Sequence, residues 1–198
     1  MATEGVTRAP AWVRQRPEPP VPHAVLAMVL FIICEALFFA GLIASFVIGE
    51  SVNPASWPPP GQPRLPVEVT GVNTAILLLS GVFLVLASRA RTSGAAGFTR
   101  WLAVAAMLGA VFLVVQGFEW LGLIREGLTL SYSTHASFFY VLVGMHALHV
   151  VVALGLLLRA VWLASRQRLS RGAFAVAQMF WAFVVLVWPV LYVLVYLL

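Results

Sequence analysis

The chain contains no lysine and no aspartate: all twelve basic residues are arginine and all seven acidic residues are glutamate. Charged residues make up only 10% of its 198 positions, against roughly 25% in an ordinary soluble domain. So few charges cannot cover a water-facing surface, which excludes a conventional soluble fold. A single cysteine, Cys34, excludes an intrachain disulfide and says nothing of redox compartment. No short apolar segment ending in a small-residue cleavage site stands near the N-terminus, so the first apolar run is expected to remain in the mature protein. No internal repeat is visible. A net charge of +5 in a soluble protein would suggest nucleic acid. Here the arginines fall between apolar runs, and no nucleic-acid partner is expected.

What the chain has in abundance is apolar sequence, 62% of residues, with a mean hydropathy of +0.97. One membrane-spanning helix needs about 20 mostly apolar residues. The pattern predicts an all-α integral membrane bundle of five transmembrane helices, spanning about 24–48, 69–88, 98–124, 134–163 and 173–198. Residues 1–23 read as a Pro/Arg-rich cytoplasmic arm, because Pro10, Pro17, Pro19, Pro20 and Pro22 prevent a helix from propagating. Residues 24–198 form one membrane domain. Pro54, Pro58, Pro59, Pro60, Pro63 and Pro66 make the segment after the first span the longest and most irregular loop. Pro189 is expected to kink the fifth span, tolerably if neighbouring helices satisfy the freed carbonyl.

Ten arginines then gather on one side of the membrane: Arg8, Arg14, Arg16, Arg89, Arg91, Arg100, Arg159, Arg166, Arg168 and Arg171. Only Arg64 and Arg125 fall on the other. Basic loops are retained in the cytoplasm, so the N-terminus is expected inside and the C-terminus outside. Trp57, Trp101, Trp120, Trp162 and Tyr132 lie near the ends of spans, as interfacial anchors should. The basic stretch from Arg159 to Arg171 can meet anionic phospholipid head groups.

A few polar residues lie within the spans. Glu35 sits near the middle of the first, where a charge is costly; it must be neutral, paired or turned toward protein. Two readings stay open, a proton-handling carboxyl or a neutral acid bonded between helices. Gln116 and Glu119, three apart on one face of the third span, can share a partner on a neighbouring helix. His146 and His149 repeat that spacing in the fourth span beside Gly144. A metal site would need further ligands from facing helices, and His23 and His135 lie at the wrong depths, so hydrogen bonding to Glu119 or to a partner subunit is expected instead.

Four segments together resemble subunit III of the haem-copper respiratory oxidases. Met28-Val-Leu-Phe-Ile-Ile-Cys-Glu-Ala-Leu-Phe-Phe39 is similar to the family's helix in which a buried glutamate precedes Leu-Phe-Phe. Gly71-Val-Asn-Thr-Ala-Ile-Leu-Leu-Leu-Ser80 resembles its Asn-Thr helix and brings Asn73 into the polar set. Gln116-Gly-Phe-Glu-Trp120 resembles Gln-x-x-Glu-Tyr, and Gly144-Met-His-Ala-Leu-His-Val150 resembles Gly-Phe-His-Gly-Leu-His-Val, preceded by Ser137 and Phe139-Tyr140. In the fifth span Trp188 and Tyr192 keep a Trp-x-x-x-Tyr spacing, while Ala182 and Val185 stand where the family has His and Asp. Cys34, Trp120, His135, Ala136 and Ala147 are further departures. The five spans correspond to the last five of the seven-helix form, whose two extra helices make a V-shaped cleft for phospholipid.

The resemblance implies a bacterial inner-membrane subunit without catalytic, cofactor or metal residues of its own. It would pack against oxidase subunit I, with subunit II in the same complex, and leave haem and copper to those partners. It would support proton uptake and the durability of subunit I, with Glu35 matching the family's carbodiimide-reactive glutamate. Asn73, Gln116, Glu119, His146 and His149 form the expected interhelix network. A cytochrome c oxidase is favoured. A quinol oxidase subunit, the related accessory protein of nitric oxide reductases, and an independent transporter are the alternatives.

Overall fold

A computed structural model describes residues 23–52, Pro54 and 57–197. Five long helices account for most of them: α1 (His23–Val52), α2 (Val67–Ser93), α3 (Phe98–Arg125), α4 (Thr134–Ser165) and α5 (Arg171–Tyr192), with a π-helical turn over Val193–Leu197. Each is long and apolar enough to cross a membrane. All but His23 of the expected N-terminal arm lies outside the described residues; His23 itself opens α1.

The helices outrun the apolar stretches that predict them, because backbone hydrogen bonding stops at a cap and not where hydropathy falls. α2 passes Ser88 and ends only where Gly94 turns left-handed (φ 68°) and donates its N–H to Ala90 O. Ser133 and Ser170 cap α4 and α5, their Oγ atoms accepting from Ala136 N and Ala173 N. Pro189 lies inside α5 without ending it, and the helix widens into the π turn four residues later. Having no N–H, Pro189 leaves the carbonyl one turn back without its usual partner.

α2 and α3 form a tight antiparallel hairpin; α4 packs on α3 and α5, and α5 also meets α2 and α1. In lipid the hydrophobic effect cannot drive helices together, so close packing and interhelical hydrogen bonds must. Both meet on one face of α5. Trp181 Nε1 donates to Ser80 Oγ at 3.0 Å, and Ser80 Oγ donates to Ala105 O at 2.8 Å, joining three helices through one hydroxyl. Trp188 Nε1 donates to Thr74 Oγ1 at 2.8 Å, and Tyr192 Oη to Val67 O at 3.0 Å. Positions 181, 188 and 192 follow a seven-then-four spacing that keeps them on one side of the helix. Gly109 of α3 admits the Trp181 ring; a Cβ there would collide with it.

α1 is the exception. It packs on α4 and α5 and buries only Phe39 and Phe46. Leu30, Leu37 and Ile48 are each more than half exposed, Leu37 at 69%. A surface of that kind suits acyl chains or another protein and not water.

Candidate functional site

Among the described residues, the polar link between α1 and the remaining helices is a single carboxyl-imidazole pair. Glu35 lies twelve residues into α1 and His149 fifteen into α4, both well inside the membrane span. Glu35 Oε2 and His149 Nε2 are 2.9 Å apart, with the two side chains 19% and 10% exposed. On its other edge the imidazole is 2.7 Å from Met145 O, one turn back on its own helix. A carbonyl only accepts, so His149 Nδ1 must carry a proton there. One further proton is then shared along the Nε2 to Oε2 line. It rests on the carboxyl as a neutral acid or on the ring as half of an ion pair, and the pair is net neutral in both states. That is the arrangement in which a mid-membrane acid costs least.

Aromatic rings shelter the pair. Phe39 packs edge-on against His149 at 5.2 Å between centroids and also touches His146 and Phe183; Phe180 approaches His149 at 6.1 Å. Outside lies an apolar groove of about 360 Å³ lined by Met28, Phe31, Leu148, Val152 and His149 itself. The imidazole therefore borders a space that an acyl chain or an apolar side chain can fill.

A second polar cluster joins α2, α3 and the end of α5. Asn73 Nδ2 donates to Phe112 O at 3.0 Å and reaches Gln116 Oε1 at 3.4 Å; Gln116 Nε2 reaches Tyr196 Oη, also at 3.4 Å. Asn73, Gln116 and Tyr196 are all buried. Tyr196 has no counterpart among the sequence candidates. It sits in the apolar run Val193-Leu-Val-Tyr-Leu197, and its hydroxyl gains a partner only when folding brings it to the Gln116 amide of α3.

The expected bond from the histidines to Glu119 does not form. Glu119 lies six residues, roughly 9 Å, from the end of α3, whereas His146 is twelve residues, roughly 18 Å, from the matching end of α4. Nor do the two histidines share a hydrogen-bond partner, although Phe39 packs against both. Three residues along a helix turn through about 300°, so His149 faces α1 while His146 faces α5, stacked on Trp188 at 5.0 Å and only 1% exposed. Neither His146 nitrogen has a hydrogen-bond partner among the described residues. Trp120, five residues from the end of α3, turns its ring inward as well. Its ring meets Tyr140 at 5.9 Å and lies against Gly144, and its Nε1 is buried.

Among the described residues no group of three or more His, Cys, Asp or Glu converges on a metal position. The family model for cytochrome c oxidase subunit III matches residues 22–198, nearly the whole chain. The chain belongs to that family. The Synechocystis cytochrome c oxidase subunit 3 is 40% identical over 181 residues, covering 88% of this chain and 75% of its own length. The Thermostichus vulcanus protein of the same name is 32% identical over 88% of this chain and 87% of its own. In the fruit fly Drosophila yakuba the corresponding subunit is 33% identical over 85% of this chain and 67% of its own.

Within this subunit III the two histidines are expected to respond differently to removal. His149→Leu strips the part-buried Glu35 of its partner; breaking a fully buried pair typically costs about 3–5 kcal/mol, and with Glu35 19% exposed the loss should lie near the lower end of that range. His146→Leu removes two nitrogens that bond to nothing described and keeps an apolar body against Trp188, so its effect should stay within about 1 kcal/mol. Thermal unfolding of the two variants in detergent, followed by the monodisperse fraction, checks the difference; equal losses would contradict the geometry.

Proposed function

We propose that the chain is the non-catalytic subunit III of an aerobic respiratory haem-copper terminal oxidase of the cytochrome c type, in a bacterial inner membrane. It packs against catalytic subunit I in a complex with subunit II, which together hold the haem and copper, and it supports proton uptake and the durability of subunit I. The observation that carries this reading is the Glu35–His149 pair, which keeps one exchangeable proton at mid-membrane depth without net charge. The names of the relatives favour the cytochrome c type over the quinol type. Orientation follows from the arginines: the helix ends at Arg91, Arg100, Arg166 and Arg171 face the cytoplasm, with the C-terminus outside. Residues 24–198 act as one membrane domain, carrying the N-terminal segment as a cytoplasmic arm. Asn73, Gln116 and Tyr196 hold the outer ends of the helices together.

Mild extraction followed by a native gel tests the reading. The chain should migrate with haem-bearing polypeptides yet show no Soret band when purified alone. In proteoliposomes, oxidase stripped of the chain should lose turnover within fewer cycles than the intact complex, and re-addition should restore it. Recovery without any haem protein, or turnover indifferent to the chain, would overturn it.

A further inference from the structure

The two ends of the bundle differ in charge. The end formed by the last turns of α2 and α4 and the first turns of α3 and α5 carries Arg89, Arg91, Arg100, Arg159, Arg166, Arg168 and Arg171 and no carboxylate among the described residues. Glu50, Glu68, Glu119 and Glu126 all lie toward the opposite end. The one ion pair among the described residues is the mid-membrane Glu35–His149 contact, which uses no arginine.

Two cavities open on this cationic end; one, between α4 and α5, has Arg159 as its single arginine, and the other is lined by two arginines. The latter, of about 330 Å³, lies between the last turns of α2 and the first turns of α5, lined by Ser88, Arg91, Thr92, Arg171, Phe174 and Gln178. The α2 residues sit at i, i+3 and i+4 and the α5 residues at i, i+3 and i+7, so each helix contributes one face. Arg91 is held in place: its Nη2 donates to Leu169 O at 2.8 Å, and its guanidinium lies over the rings of Phe98 at 4.9 Å and Phe174 at 5.0 Å. Arg171, exposed at the first position of α5, lines the same cavity, and the N-terminal dipole of α5 adds to the positive field. Two guanidinium groups facing one cavity repel unless an anion joins them, and the guanidinium fork matches phosphate oxygens.

We propose that this cavity binds a phosphate group. Its depth favours the phosphodiester of an anionic phospholipid as the source, with inorganic phosphate as the other. Gln178 lies seven residues, roughly 10 Å, along α5 from Arg171, so the cavity runs from the helix ends toward the hydrocarbon. Its amide is placed for the glycerol ester oxygens that follow a head group. The site is separate from the Glu35–His149 pair and from the groove beside α1.

The test uses the full-length protein in its purified, delipidated complex, with two probes: short-chain phosphatidylglycerol followed by native mass spectrometry, and radiolabelled inorganic phosphate followed by equilibrium dialysis. Arg171→Gln and Arg89→Gln remove the same charge from the same end, but only Arg171 lines the cavity. Saturable binding is expected to weaken at least fivefold in Arg171→Gln, to change less than twofold in Arg89→Gln, and to recover in part in Arg171→Lys. Gln178→Leu should weaken the lipid arm alone if the source is a head group, and leave both arms unchanged if the source is the free ion. Absence of saturable binding in both arms, or equal losses in Arg171→Gln and Arg89→Gln, would overturn the proposal.

Discussion

Adding one methyl group at Gly109 is expected to disrupt the bundle more than any comparable change on its surface. In Gly109→Ala the new Cβ would occupy the space of the Trp181 ring. That ring cannot swing aside: it is fully buried, and its Nε1 donates to Ser80 Oγ, which in turn donates to the Ala105 carbonyl of the same helix that carries Gly109. Relief would require α3 and α5 to separate, and because Ser80 of α2 bridges the two, separation breaks at least one of these hydrogen bonds. Overpacking typically costs about 1–3 kcal/mol, and a buried donor left without an acceptor adds about 1–3 kcal/mol more. Gly117→Ala and Gly155→Ala serve as controls, since a Cβ at either position meets nothing within 4 Å. There the gain in helix propensity should leave stability unchanged or slightly raised. Thermal unfolding in detergent of the three variants distinguishes them, and a Gly109→Ala protein as stable as the controls would contradict the packing of Trp181.

The five helices were legible because each span is an apolar run bounded by arginine, proline or glycine, and a bilayer enforces that pattern with little tolerance. The polar partners were harder to read. Asn73 and Gln116 lie on α2 and α3, adjacent antiparallel helices, at positions whose depths match. Glu35 and His149 match in depth as well, each close to the middle of its helix. The pairing of the histidines with Glu119 overlooked depth and relied on proximity in type alone. His146 and His149 look equivalent by spacing, yet 60° of helical rotation sends one to α1 and the other to α5, and only the order of helices around the bundle decides which. Tyr196, Trp181 and Trp188 resisted reading for a different reason. Their apolar bodies fit a lipid-embedded run, and their single polar atoms acquire partners only when α5 lies between α2 and α4.

Glu35→Lys is expected to abolish assembly of α1 with the rest of the chain, while Glu35→Gln leaves it nearly intact. Because the Met145 carbonyl holds the proton on His149 Nδ1, only Nε2 faces position 35. An amide can donate to that nitrogen, so glutamine keeps both the shape and the hydrogen bond. A lysine ammonium can donate too, but it brings a charge that nothing nearby cancels, where the native pair is neutral wherever its proton rests. A charged side chain at a helix centre costs about 2.5–3.5 kcal/mol on insertion scales, with the lost pairing in addition. α1 has little to set against this, since Phe39 and Phe46 are its only buried side chains. The decisive measurement is charge reversal. With His149→Glu added to Glu35→Lys, the two positions again sum to zero, and folded chain recovered from the membrane should return toward the native amount. A single Lys variant that assembles normally, or a double variant no better than the single, would mean that position 35 faces water and not His149. The neutrality of the pair, and with it the attachment of α1, would then need another explanation.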